Sequence, residues 1–98
     1  MGNRISELRV QHCHFIPKEL EEGILYVSLE YKTAIHLCAC GCGLQTVTPI
    51  NPPYGWVYIE TNRLPTLSPS IGNFRYPCKS HYFVRNGTID WCSDSGKR

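Results

Sequence analysis

Three thiols stand close together in Cys38-Ala39-Cys40-Gly41-Cys42-Gly43, and a C-x-x-H pair, Cys78-Lys79-Ser80-His81, follows far along the chain. Thiolate and imidazole are the ligands zinc prefers. Its tetrahedral sites join two clusters from distant parts of a chain, each on a tight turn whose backbone N–H groups face the sulfurs. Gly41 and Gly43 suit such a turn. Any four of Cys38, Cys40, Cys42, Cys78 and His81 would complete a Zn2+ site, and spacing does not choose among them.

Six cysteines could instead form three disulfides. Cysteines two residues apart would close a small strained ring, so Cys38, Cys40 and Cys42 would have to reach Cys13, Cys78 and Cys92 from one knuckle. The first twenty residues carry Arg4, Glu7, Arg9, Lys18 and Glu19 where a secretory signal would be apolar. A reducing cytoplasm is therefore expected, and it opposes bridges. A Rieske-type iron–sulfur centre on His36, Cys38, Cys78 and His81 has the ligand types but not the order or spacing. Metal binding is the better reading. His36 projects from the same strand face as Cys38 and Cys40, and so reads as a ligand, a partner to one, a catalytic base or a hydrogen-bonded core histidine. Cys13 and Cys92 read as packed or free thiols, and His12 and His14 as surface residues.

The elements that must position these groups are short. Ninety-eight residues allow one domain, whose core needs a staple such as a metal. We expect an arm over 1–14, a zinc-stapled β domain over 15–92 and a flexible tail over 93–98. The fold class is a small, β-rich, mainly antiparallel sheet with a short helix. Pro17 to Glu22 predicts that helix, with acids near its positive end and Gly23 as its stop. Ile24 to Tyr31 alternates as a strand, Leu25, Val27, Leu29 and Tyr31 facing one way. Thr33–Cys38 and Leu44–Thr48 predict two strands around the knuckle, and Trp56–Glu60 another. Pro65, Pro69, Gly72 and Pro77 predict an irregular loop between Leu64 and Pro77. Tyr82–Arg85 and Thr88–Trp91 flank Asn86-Gly87, a type I′ hairpin turn.

Composition removes other classes. A net charge of +2 with scattered basic residues is too mild for nucleic acid. No apolar run approaches the roughly 18 residues of a membrane span. Met1-Gly2-Asn3-Arg4-Ile5-Ser6 fits the myristoylation pattern and Asn86-Gly87-Thr88 the glycosylation acceptor, both patterns that chance produces often.

Five runs together are more specific: Leu20 to Ser28, Thr33 to Gly43 with its H-x-C-x-C-G-C-G, Val47-Thr48-Pro49, Leu67 to Phe74 with Pro69-Ser70-Ile71-Gly72-Asn73, and Pro77-Cys78-Lys79-Ser80-His81-Tyr82. Over about residues 15 to 91 the chain resembles a small bacterial family, formerly of unknown function, often encoded beside ubiquitin-like conjugation genes. The resemblance implies membership of such a pathway, with a bacterial ubiquitin-like protein, and an E2-like or E1-like protein, as partners, and a place in antiphage defence.

Two functions follow from that membership. One is a deubiquitinase-like peptidase that cleaves after the C-terminal glycine of the ubiquitin-like protein, maturing tandem precursors or removing conjugates. Its chemistry could be a zinc-activated water or a serine nucleophile beside a structural zinc. The hydroxyls near the motifs are Ser68, Ser70 and Ser80, and the bases His36 and His81. Ser70 with His36 is the favoured pair, because Ile71-Gly72-Asn73 could offer backbone N–H groups to an oxyanion; the plainer role for Ser70 is a turn residue after Pro69. The other function is an E3-like adaptor shaped by zinc. A thiol redox or metal sensor stands behind both.

Overall fold

Short runs of β-branched and aromatic residues, ended by asparagine, glycine and proline turns, build strands throughout the computed structural model, which describes residues 4–97. They are β1 (Arg9–His12), β2 (Ile24–Ser28), β3 (Thr33–Leu37), β4 (Gln45–Pro49), β5 (Val57–Thr61), β6 (Leu64–Gly72), β7 (His81–Arg85) and β8 (Thr88–Trp91). Two four-stranded sheets result, ordered β1-β2-β3-β4 and β5-β6-β7-β8. β1 runs parallel to β2, and every other pairing is antiparallel. The expected single sheet is thus two.

The N-terminal segment straps the sheets together. Leu8 N–H donates to the Gly87 carbonyl at 2.7 Å, Ile89 N–H to Ser6 at 2.9 Å and Val10 N–H to Arg63 at 3.0 Å. Leu8 and Val10, on the segment read as an arm, pack in one core with Leu25, Val27, Leu67 and Val84.

The expected helix at 17–22 is absent among the described residues. One turn of helix without an apolar stripe does not offset the cost of nucleation. The segment instead crosses between parallel strands, with Glu21 N–H donating to Tyr26 Oη at 2.9 Å. The strand from Ile24 ends at Ser28, so Leu29 and Tyr31 lie exposed on the following turn.

The loop expected over 64–77 is largely strand. β6 lies between β5 and β7, and its prolines are accommodated at particular places. Pro65 faces Glu60 and accepts from Gly87 N–H at 2.7 Å, while Pro69 sits where pairing lapses between Leu67↔Val84 and Ile71↔Tyr82. The Asn86-Gly87 hairpin is present, with positive φ at both residues. Residues 93–97, expected as tail, fold back: Gly96 N–H donates to Lys79 at 2.8 Å, and Ser95 Oγ accepts from His81 N–H at 2.9 Å. The first three residues of the myristoylation pattern, Met1, Gly2 and Asn3, lie outside those described. No helix among the described residues is long and apolar enough to cross a membrane.

Candidate active site and cysteine cluster

The knuckle after β3 and the turn before β7 meet at the end of the core. Gly41 N–H donates to Cys38 at 3.1 Å to close the knuckle, and Lys79 N–H to Tyr76 at 3.0 Å to close the other turn. Cys38, Cys40, Cys42 and Cys78 thereby bring their sulfurs within 4.8 Å of one another. Neighbouring pairs lie at 3.4 Å (Cys38–Cys40), 3.8 Å (Cys38–Cys78) and 3.9 Å (Cys42–Cys78). None is a bond. Four sulfurs about 2.3 Å from one tetrahedral ion would stand ~3.8 Å apart, so the cluster has the size a metal requires.

The donor set also fits a cation. Burial holds the Cys38 thiol up, and burial with neighbouring thiols raises Cys40 further. At Cys78 burial is outweighed by hydrogen bonds from the Ser80 backbone and hydroxyl, which bring it down to about 7. Thiols that burial keeps protonated, Cys38 and Cys40 above all, are what a divalent ion would deprotonate. Polar groups support them: Ser80 Oγ lies 3.1 Å from Cys38 Sγ, and Asn73 Nδ2 donates to Ser80 Oγ at 2.9 Å.

His81, the fifth candidate ligand, faces elsewhere. The irregularity at Pro69 sets Ser70 on the outer face of β6, and the register Gly72↔His81 puts His81 diagonally beside it on β7. Ser70 Oγ lies 2.8 Å from His81 Nε2, and His81 Nδ1 lies 2.6 Å from Asp94 Oδ1. A carboxylate only accepts, so Nδ1 carries the proton and Nε2 accepts from the Ser70 hydroxyl. All three side chains are half-buried. Phe74 packs edge-on to the imidazole, ring centres 5.1 Å apart; a Cβ at Gly72 would meet Phe74 Cε2 at 2.4 Å, so only glycine leaves that ring its place. Pro69 also lines a shallow cavity with Tyr54 and Trp56, and Trp56 Nε1–H donates to the Pro69 carbonyl at 2.9 Å.

The structure does not join His36 to Ser70. His36 is fully buried, its Nε2 2.7 Å from Tyr82 Oη and its Nδ1 without a partner among the described residues. Burial lowers its pKa to about 4, which keeps it neutral. Tyr82 in turn accepts from Ala39 N–H at 3.3 Å, so His36 supports the base of the knuckle. Ser80 is buried in the cysteine cluster, and Ser68 is exposed. Asn73 N–H, considered for an oxyanion, donates to the Ser80 carbonyl at 2.8 Å. Asp94 belongs to no motif that marks it in the sequence. The hairpin supplied a signal: its register sets Trp91 opposite Tyr82, hence Cys92 opposite His81 and Asp94 just beyond.

Comparison with known proteins finds a matching family. Residues 12–92 match the model of BubE, described as a bacterial ubiquitination-like system serine protease. No curated protein and no solved structure matches the chain.

Proposed function

Since the chain belongs to the BubE family of bacterial ubiquitination-like system serine proteases, we propose that it cleaves after the C-terminal glycine of a ubiquitin-like protein. Ser70 is the nucleophile, His81 the general base and Asp94 the carboxylate that orients it. The observation that carries this reading is the unbroken hydrogen-bonded line from Ser70 Oγ through both nitrogens of His81 to Asp94 Oδ1. It replaces His36 by His81 as the partner of Ser70.

Ser70 Oγ attacks the carbonyl carbon of the scissile bond while its proton passes to His81 Nε2. Asp94 holds the ring in the Nδ1–H tautomer and stabilises the imidazolium. His81 then protonates the leaving amine, an α-amine in a tandem precursor or a lysine ε-amine in a conjugate. Water hydrolyses the acyl-enzyme with the same base. The cavity beside Pro69 offers apolar surface to the substrate chain next to the nucleophile.

The four cysteines would hold Zn2+ as a closed, all-thiolate site, which supplies a cross-link between the 38–42 knuckle and the 78–81 turn and has no open position for water. That favours serine over metal chemistry. An adaptor for an E2-like protein would make no use of the serine, histidine and aspartate line.

Incubation with a tandem ubiquitin-like precursor tests the proposal. Wild type should cleave after the glycine, and Ser70→Ala and His81→Ala should not, with zinc content unchanged. Binding to the E2-like partner without any cleavage would overturn it in favour of the adaptor.

A further inference from the structure

The hairpin that delivers Asp94 to His81 also delivers a thiol. Cys92 N–H donates to the His81 carbonyl at 3.0 Å, which fixes the two residues opposite one another. Ligand atoms of His81, Cys92 and Asp94 all lie within 4.8 Å of one another, and all three side chains are half-buried. Catalysis as described above uses the imidazole and the carboxylate but has no task for the sulfur. One nitrogen, one sulfur and one oxygen donor make a set suited to zinc, which would take water as its fourth ligand.

We propose that His81, Cys92 and Asp94 form a second metal site, separate from the four-cysteine cluster, which takes a borderline-soft divalent cation such as Zn2+ and thereby switches the peptidase off. The inhibitory part rests on the role given to His81 above; the binding part does not. Nδ1 and Oδ1 are 2.6 Å apart. Bonds of ~2.0–2.1 Å to one tetrahedral ion require about 3.3 Å between them, an opening of less than an ångström by a turn at the surface. The ion occupies Nδ1 and binds the Cys92 thiolate, whose proton leaves to solvent. The neutral ring keeps its single proton, which must then sit on Nε2. There it donates to Ser70 instead of accepting from it, and the carboxylate that would steady an imidazolium is also taken. Mg2+ and Ca2+, which favour all-oxygen sites, bind poorly here.

The test begins with protein whose first zinc equivalent is already bound, and titrates Co2+ while following thiolate-to-cobalt absorption, and Zn2+ while following precursor cleavage. Wild type should take a second equivalent with a new thiolate band and lose ~10²-fold in rate, the lower end of what a general base contributes. Cys92→Ala and Cys92→Ser should keep the wild-type rate without added metal, show no second thiolate band and resist inhibition. A wild type that stops at one equivalent, or variants that take up the second with an unchanged band, would overturn the site. A second equivalent bound by a protein without peptidase activity would leave the site standing and refute the catalytic reading instead. Cleavage that Zn2+ leaves untouched at full second-site occupancy would refute the switch.

Discussion

Cys78, on the turn before β7, and His81, the first residue of β7, are three residues apart and face two different clusters. Cys78 Sγ is 3.8 Å from Cys38 Sγ in the cysteine cluster, while His81 Nε2 is 2.8 Å from Ser70 Oγ on the outer face of the second sheet. Ser80, between them, is buried and bonds both Cys38 and Asn73. The turn that leads into the proposed base is therefore anchored by the cysteine cluster, so in this reading a chain too short for a large core ties its chemistry to its staple.

Metal removal should accordingly abolish fold and activity together. Structural zinc contributes folding free energy outright, so a chelator should collapse near-ultraviolet dichroism and cleavage in parallel. Cys42, at the exposed rim of the cluster, hydrogen-bonds to Cys78 and shares no described hydrogen bond with Ser70, His81 or Asp94. Cys42→Ser should still lower zinc affinity, melting temperature and cleavage in step. Full activity in zinc-free protein would contradict the coupling.

Asp94→Asn separates orientation from folding. An amide can donate to Nδ1 and hold the wrong tautomer, so the rate should fall by about 10²–10⁴-fold. The melting temperature should move little, because Asp94 lies on a surface turn. Kinetics paired with thermal melts reads both, and a small loss of rate would remove Asp94 from the mechanism.

His36→Ala should do the opposite. It removes a fully buried side chain and one of the hydrogen-bond partners of Tyr82 Oη, at a cost of about 2–4 kcal/mol. Urea melts measure that loss. The fraction that remains folded should cleave at close to the wild-type rate, and a catalytic His36 would instead abolish turnover without loss of stability.

Two glycines with φ near +82° differ in their surroundings. A Cβ at Gly43 meets nothing within 4 Å, whereas one at Gly87 comes within 2.7 Å of Leu64 Cδ2 and 3.0 Å of the Leu8 carbonyl. Gly43→Ala should cost only the backbone strain of ~1–2 kcal/mol. Gly87→Ala should cost more, because Gly87 accepts from Leu8 where the N-terminal segment joins the sheets. Equal losses in denaturant melts would contradict the packing described.

Local chemistry made some of this legible in the sequence. The Asn86-Gly87 turn and the cysteine knuckle are set by neighbours along the chain, and both stand where expected. β6 was hidden because Pro65 and Pro69 argue against a central strand, and only its partners reveal that neither occupies a place where the ladder needs its N–H. The C-x-x-H spacing alone points to His81 as a ligand, because that spacing also marks zinc sites. What separates the two roles is the direction of a strand, which sends Tyr82 into the core and His81 out towards Ser70. Asp94 reaches His81 through pairing across a hairpin, a relationship carried by register and not by motif.

Activation of Ser70 by His81 is the centre of the account, and covalent labelling with a fluorophosphonate followed by peptide mass spectrometry measures it without any assumption about substrate. Wild type should carry the adduct on Ser70, His81→Ala should lose it, and the folded fraction of His36→Ala should keep it. Labelling that survives His81→Ala, or that disappears only when His36 is replaced, would contradict the assignment of the base.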